Sequence, residues 1–536
     1  MTKRTEQPRV RGNEWRTLQP PALGSWDPRL SVAVVIPAHQ AASTLAYCLA
    51  GLAAQTYPSH LLQVVVVDDG SDPPVVLPEL RPENTVLLRT SESWGRAHAC
   101  AQGAEYADAD VIHWLDADML LHHDEVEAQL RWHHLIDHAV VLGHKLFVDP
   151  SDGPEDVERA YDMVRSGRAG ELFAGRWTAR HDWVEEFAAK YDGLNAAAFH
   201  AYLVHVGASA SVRRDLYLSS GGMDSDLKLG EDVELGYRLA QRGAVFVPDN
   251  EARSWHLGRS TLMRRQEEVN RYNRPFLTDR ITDLRHWRTK GRSYSVPWLE
   301  VVIDTEGQSF ESVTHSVDGL LKSAVSDIEI VLLGDWTGHG DERRPPLEDE
   351  HLDARMLRAE YVGEPRVRLQ KEIGTTAFPS AWRLELPAGW APGRDTIRRL
   401  TREAHTNVRG LVSATMPDGS VARFERTATF ARAQRVAASH EDLDDVVDAL
   451  TGSWWYDGAE EGFTRVSPKS RVRKQSGDLS RAVVRGPGHE TLEHPDDVAV
   501  PRPAAVPQPH PPASTVGESA RETARRTFHA LRRRLR

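Results

Sequence analysis

The sequence predicts an open α/β sheet followed by a second α/β unit, and three observations carry that expectation. First, VAVVI (32–36), VVVV (64–67) and VIHWL (111–115) are short, β-branched apolar runs of the kind that parallel sheets bury on both faces. Second, residues 41–56 lie between the first two runs and place Leu45, Leu49 and Leu52 at helical spacing. Third, a similar strand, loop, helix, strand, acidic-turn pattern restarts at residue 299.

Taken in order, residues 1–29 are polar and Pro-containing and read as a leader. The first α/β unit is expected over 30–290. Its strands end at Pro37, at Asp68-Asp69-Gly70-Ser71 and at Asp116. Ligands of open α/β sheets bind beyond the carboxyl ends of the strands, so Asp69, Asp116 and Asp118 all fall where a ligand belongs. A second unit is expected over 296–456. There LEVVIDTEGQSFESVTHSVDGLLKSAVSDIEIVLLGDW (299–336) parallels residues 31–70, with 38 residues from Ser31 to Asp69 and 36 from Leu299 to Asp335. A degenerate internal repeat and a chance likeness of two βαβ units both account for this. In the repeat alignment WRLELPAGW (382–390) takes the place of HWLDADML (113–120), so the acidic pair becomes Glu385-Leu386-Pro387. That unit is therefore expected not to catalyse.

Residues 458–536 turn polar and Pro-rich. PRPAAVPQPHPPAS (501–514) cannot build a core and is expected to be disordered. The last sixteen residues hold seven arginines and one glutamate, with Ala524, Phe528, Leu531 and Leu535 on one helical stripe. Such a segment suits peripheral contact with an anionic membrane, and equally a solvated basic end.

Bulk properties narrow the classes. Lys and Arg total 66 against 78 Asp and Glu, a net charge of −12, which gives no reason to expect nucleic-acid binding. Cys48 and Cys100 are the only cysteines, too few for a disulfide framework or a cysteine-built zinc site. The N-terminal MTKRTEQPRVRGNEWR has no apolar run behind its basic residues, and no stretch approaches a membrane span. The expected location is cytoplasmic, with peripheral attachment to the inner membrane face through the basic tail as an extension.

Several segments carry chemistry. Asp116-Ala117-Asp118 closes the third strand, where two carboxylates can share a hard cation with phosphate oxygens. Gly230-Glu231-Asp232-Val233-Glu234-Leu235 opens a helix after the turn Gly221-Gly222-Met223-Asp224. Acidic residues also favour helix starts for their own sake, and that plainer account suits Glu234 better than Asp232. Trp255-His256-Leu257-Gly258-Arg259 follows 24 residues after Asp232, behind a VFV strand (245–247). Imidazole beside carboxylates suits manganese more than magnesium. Trp132, Trp177, Trp183 and Tyr202 offer flat faces for sugar stacking, although core packing is the commoner role of such residues.

IPAHQ (36–40), VVDDGSD (66–72), LDADM (115–119), GGMD (221–224), GEDVELGYRL (230–239) and WHLGR (255–259) together resemble the family-2 glycosyltransferases, of the Rossmann-like GT-A fold. The resemblance covers about 31–290. It implies transfer of a sugar with inversion from a nucleoside-diphosphate donor, a UDP-sugar first, to a hydroxyl of a glycan or lipid-linked acceptor in cell-envelope or surface-glycan synthesis. It further implies that Pro37, Ala38 and Asp69 contact the nucleotide base and ribose, with Arg96 as a nucleotide or phosphate contact. Asp116 would lie near ribose and metal, Asp118 and His256 would ligate Mn2+ or Mg2+, and Asp232 would be the catalytic base. His39 and Gln40 depart from the family's usual aromatic and asparagine, and the segment after Gly95 lacks its common Ala-x-Asn, which leaves the donor open. Two alternatives were weighed. A sugar-nucleotide nucleotidyltransferase would carry a glycine-rich basic loop after the first strand, and IPAHQAAST (36–44) is neither. A non-catalytic nucleotide-sugar-binding module would leave the acidic residues unconverged.

Overall fold

A computed structural model describes residues 7–90, 92–149, 156–285, 292–337 and 345–465. The tail was expected from residue 458, but residues 458–465 are ordered because Phe463 is buried in the core of the second unit and Thr464 and Arg465 pair with Ala391 and Trp390; the rest, with its expected disorder and membrane-facing stripe, lies outside the described residues.

The first lobe is built in chain order from β1 (Val32–Ala38), α1 (Ala42–Ala53), β2 (Leu62–Asp68), β3 (Thr85–Arg89), α2 (Arg96–Tyr106), β4 (Val111–Leu115), β5 (Met119–Leu121), α3 (Glu125–Leu135) and β6 (Ala139–Val148). Then come α4 (Val157–Arg165), β7 (Thr178–Ala179), α5 (Asp182–Lys190), β8 (Ser209–Arg213), α6 (Arg214–Ser219), α7 (Glu231–Gln241), β9 (Val245–Leu257), α8 (Thr261–Arg264) and α9 (Gln266–Arg280). The sheet order is β3-β2-β1-β4-β8-β6-β9-β5, with β7 beside β6. The apolar runs read from the sequence are the parallel core strands β1, β2 and β4, and every residue of Val32–Ile36 is fully buried.

Chain continuity forces this sheet to curl. β4 and β5 stand four places apart in the strand order, roughly 19 Å across a flat sheet at ~4.8 Å per strand, yet only Asp116-Ala117-Asp118 joins them. The four residue steps from Leu115 to Met119 reach about 14 Å at full extension. The β5 edge therefore folds back over the carboxyl end of β4, and the acidic triplet lies at that closure. A bulge in β9 serves the same end. Gly143 of β6 pairs with Asp249 while His144 pairs with Arg253, so the second half of β9 is re-aimed and pairs with β5 as well.

The second lobe contains β10 (Leu299–Asp304), α10 (Phe310–Leu321), β11 (Ile328–Leu333), α11 (Leu352–Tyr361), β12 (Val367–Gln370), β13 (Trp382–Glu385), β14 (Trp390–Ala391) and α12 (Thr396–Thr406). It is completed by β15 (Leu411–Thr415), β16 (Val421–Arg426), α13 (Thr427–Val436), α14 (Leu443–Thr451), β17 (Ser453–Asp457) and β18 (Thr464–Arg465). Its sheet order is β12-β11-β10-β13-β16-β15-β17, with β14 paired to β18. Strand for strand and direction for direction this repeats β3-β2-β1-β4-β8-β6-β9: parallel up to β13, antiparallel at β13–β16 and β16–β15, parallel at β15–β17. The likeness of the two halves is thus a repeat of topology, which any two βαβ units would not share.

Register moves the acidic position. Val32 opposes Leu62 and Val111, and Leu299 opposes Ile328 and Trp382. Counting from these pairs, Asp116 corresponds to Pro387 and Asp118 to Gly389, two residues beyond the Glu385-Leu386-Pro387 expected from the sequence. Met119 opposes His256 and its counterpart Trp390 opposes Arg465, so His256 corresponds to Arg465.

Residues 7–29 are more than a loose leader. Val10 is fully buried, and the Asn13 side chain donates to the Leu194 and Phe246 carbonyls and accepts from the Phe246 N–H. Arg432 of α13 is buried between the lobes and donates to the carbonyls of Val10, Gly12, Gly243 and Ala244, tying leader and both lobes together. Among the described residues no helix is long and apolar enough to cross a membrane.

Candidate active site

At the closure of the first sheet, one side-chain oxygen each of Asp116 and Asp118 and one ring nitrogen of His256 lie within 4.8 Å of one another. The β5–β9 pairing sets this geometry: the Leu257 N–H donates to the Asp118 carbonyl at 2.8 Å, and His256 Nε2 stands 3.6 Å from Asp118 Oδ1. The His256 ring packs against Phe147 at 4.7 Å, and its Nδ1 is buried without a hydrogen-bond partner.

The electrostatics fit a divalent cation. Burial, and then the charge of Asp116, push the Asp118 carboxyl above its ordinary value, with His256 opposing. Burial would also raise Asp116, but Arg96 and then His256 outweigh it and hold that carboxyl low. The two carboxylates repel each other as anions, and with the imidazole they offer one hard-to-borderline donor set, a strain that a bound cation relieves. The three residues present therefore suit a divalent metal.

Arg96 organises the site's other side. Its Nε donates to Asp116 Oδ1 at 2.9 Å, one terminal nitrogen to Glu231 Oε1 at 3.0 Å and the other to the Gly207 carbonyl at 2.7 Å. A Cβ on residue 207 would stand 2.6 Å from that guanidinium and would push it out of this position. Asp69 joins the same chain, because both its carboxylate oxygens accept the Gly95 N–H, at 2.8 and 3.0 Å. Pro37 and Ala38 end β1 beside Val67 and Asp68, and the Asp69 N–H donates to the Ala38 carbonyl. Pro37, Ala38, Asp69, Arg96 and Asp116 thus form one contiguous rim at the carboxyl ends of β1, β2 and β4.

Asp232 enters from α7. Gly230 precedes it at φ +78°, and a side chain at residue 230 would press on Asn273 and Leu277 of α9 at 3.0 Å. Asp232 Oδ2 accepts the Gly207 N–H at 3.2 Å, Oδ1 accepts the Val233 N–H at 2.8 Å, and its carbonyl lies 2.6 Å from His205 Nδ1. Glu234 points away and pairs with Arg238, which also donates to the Ser220 and Gly222 carbonyls. Glu234 is structural, and the Gly221-Gly222 turn is its anchor.

Arg96, Asp116, Lys145, Asp232 and His256 line one cavity of about 860 Å³. Asp118 faces a neighbouring cavity of about 370 Å³ with Trp177 and Arg259, whose guanidinium stacks on the Trp177 ring at 4.6 Å. Trp183 lines the larger cavity, where its Nε1 donates to His181. Trp132 and Tyr202 are core residues instead, bonded to Asp249 and Asp283. Lys145 and Glu231 were not singled out from the sequence. Burial brings the Lys145 ammonium down to about 8 although Asp116 and Asp232 favour its charge. Its place in step with the buried Phe147, two residues on along β6, was the one signal available.

Residues 33–203 match the family model described as glycosyl transferase family 2. The match contains Asp69, Arg96, Asp116 and Asp118 but stops short of Asp232 and His256. No curated protein sequence matches the chain. Among solved structures, the chain is similar to the mannosyltransferase PcManGT from Pyrobaculum calidifontis in complex with GDP-Man and Mn2+, at 18% identity and a TM-score of 0.31, covering 48% of this chain and 63% of that one. It is also similar to S. aureus TarS, at 14% identity and 0.30, covering 47% and 40%. A third is GalNAc-T7 with UDP, GalNAc and Mn2+, at 16% identity and 0.32, covering 48% and 50%. The chain thus spans about two fifths to two thirds of the length of these structures. On the family match, residues 33–203 of the first lobe carry a glycosyl transferase family 2 domain, with the acidic triplet at the closure of its curled sheet.

Proposed function

We propose that the chain is an inverting glycosyltransferase that moves a sugar from a nucleoside-diphosphate donor, a UDP-sugar first, to a hydroxyl of a glycan or lipid-linked acceptor. The observation that carries this reading is the convergence of Asp116, His256, Arg96 and Asp232 on one cavity, with Asp118 at its edge. Asp116, Asp118 and His256 would hold the metal, Mn2+ in preference to Mg2+. A bound cation supplies neutralisation of the charge that develops on the departing diphosphate.

The chain's own groups divide the remaining work. Pro37, Ala38 and Asp69 form the rim for base and ribose. Arg96 holds Asp116 in place and adds positive charge at the phosphate end. Lys145 faces Asp116 and Asp232 across the same cavity and is a second phosphate contact. Asp232, fixed by the Gly207 and Val233 N–H groups, takes the proton of the acceptor hydroxyl. Trp177 and Trp183, at the two cavities, are the acceptor-stacking candidates. Cell-envelope or surface-glycan synthesis at the cytoplasmic face suits such an enzyme.

The test is a screen of UDP-, GDP- and other nucleotide sugars for Mn2+-dependent release of the nucleoside diphosphate. One donor hydrolysed with Mn2+ and spared by a chelator is the expected result. Failure of every donor to yield nucleoside diphosphate, with or without an acceptor glycan, contradicts the reading.

A further inference from the structure

A cavity of about 300 Å³ opens between the lobes, away from the metal-site candidates. It lies at the amino ends of β10, β11 and β13, the opposite end of the second sheet from the one that carries the acidic site in the first. Its walls combine Phe199 and His200 of the first lobe with Trp382, Arg402, His405 and Arg426 of the second.

Arg426 is the informative residue. It is 6% exposed, and its guanidinium is sandwiched between the rings of Phe199 at 3.8 Å and Trp382 at 4.1 Å. Its Nε donates to the Arg409 carbonyl at 3.2 Å, but one terminal nitrogen, Nη2, is buried with no hydrogen-bond partner. Asp283 favours its charge, but that carboxylate already accepts the Tyr202 hydroxyl at 2.9 Å. Arg432, equally enclosed six residues later, makes the contrast, with four backbone carbonyls around its guanidinium. A buried guanidinium nitrogen without an acceptor is costly, and a guanidinium that lines a cavity calls for an oxyanion. Flat aromatic walls suit the ring of a sugar. About 300 Å³ is roughly ten water molecules' worth of space, enough for one hexose with an anionic substituent and too little for a nucleotide sugar.

We propose that this cavity is a second binding site, specific for a monosaccharide unit bearing an oxyanion, phosphate or carboxylate. Its walls lead directly to the candidate base. Phe199 and His200 belong to the 3-10 turn Ala198–Val204, and the next residue, His205, holds the Asp232 carbonyl. Gln241 at the cavity ends the helix that Glu231 and Asp232 begin. An occupant therefore bears on the segment that positions Asp232.

Calorimetry on the full chain decides it, with glucose 6-phosphate, glucuronate and glucose as probes. The wild type is expected to bind one or both anionic sugars and not glucose, and which anion binds separates phosphate from carboxylate. Arg426→Gln should weaken binding roughly tenfold or more, the loss of one charge-assisted hydrogen bond. Arg402→Gln, on an exposed position of α12, gives the same direction should Arg426→Gln fail to fold. Asp118→Asn should leave binding unchanged. No binding by either anionic sugar, equal binding of glucose, or binding abolished by Asp118→Asn and retained in both arginine variants would overturn the proposal.

Discussion

The two lobes share one strand order and part company at three aligned positions. Where the first lobe has Asp116, Asp118 and His256, the second has Pro387, Gly389 and Arg465. None of the three replacements ligates a metal, and Arg465 brings a positive charge to the place of a neutral ligand. The acidic helix start is also altered. Asp442 caps α14 through the Asp444 N–H, Glu441 is bonded to Arg9, and Asp444 is paired with the buried Arg423. The same topology therefore supports two fates: in one lobe the strand ends hold acids facing a cavity, and in the other the acids are consumed by structure. Fold alone does not carry the chemistry; a handful of strand-end residues does.

Four experiments break or sharpen that contrast. The largest effect is expected from Asp232→Asn. Loss of a general base costs ~100-fold or more in turnover while nucleotide affinity survives, and retention of more than about a tenth of wild-type kcat would remove Asp232 from that role. Glu441→Gln, at the acidic segment that leads into α14 of the second lobe, should leave kcat within about twofold. Next, Asp118→Asn or His256→Ala should weaken Mn2+-dependent donor binding about tenfold or more in calorimetry, because each removes one of the three proposed protein ligands.

Smaller is the effect expected at the junction. Arg432→Met deletes four hydrogen bonds that tie leader and lobes and should cost about 2–4 kcal/mol, read as a lowered denaturation midpoint. Unchanged stability would mean that the lobes do not depend on each other through this residue. The smallest effect is expected from Asp335→Asn. Asp335 keeps the place of Asp69, but it is exposed and bonded to Thr337 and Lys371; donor affinity should move by less than about twofold, and a larger loss would give the second lobe a share in donor binding.

Much of this contrast was legible in the sequence because buried parallel strands write themselves as apolar runs. VAVVI, VVVV and VIHWL each became a core strand, and Asp116 and Asp118 are neighbours in the chain, so their meeting needs no tertiary knowledge. Asp232 and His256 could be listed but not placed, since their approach depends on the β9 bulge and on β5, a three-residue strand with no pattern of its own. The aligned acidic position in the second lobe was misplaced by two residues because only strand register, and not likeness of letters, settles it. Lys145 and Arg426 were missed for a related reason. A basic residue inside a strand does not itself show whether it reaches solvent, a carboxylate or a cavity.

The central claim is that one lobe holds a single metal-dependent donor site and the other holds none. Titrating Mn2+ into the full chain with saturating UDP tests it most directly. The account predicts one Mn2+ bound per chain, with that binding lost in the Asp116→Asn, Asp118→Asn double variant. Two equivalents of Mn2+, or one that persists in the double variant, would contradict it.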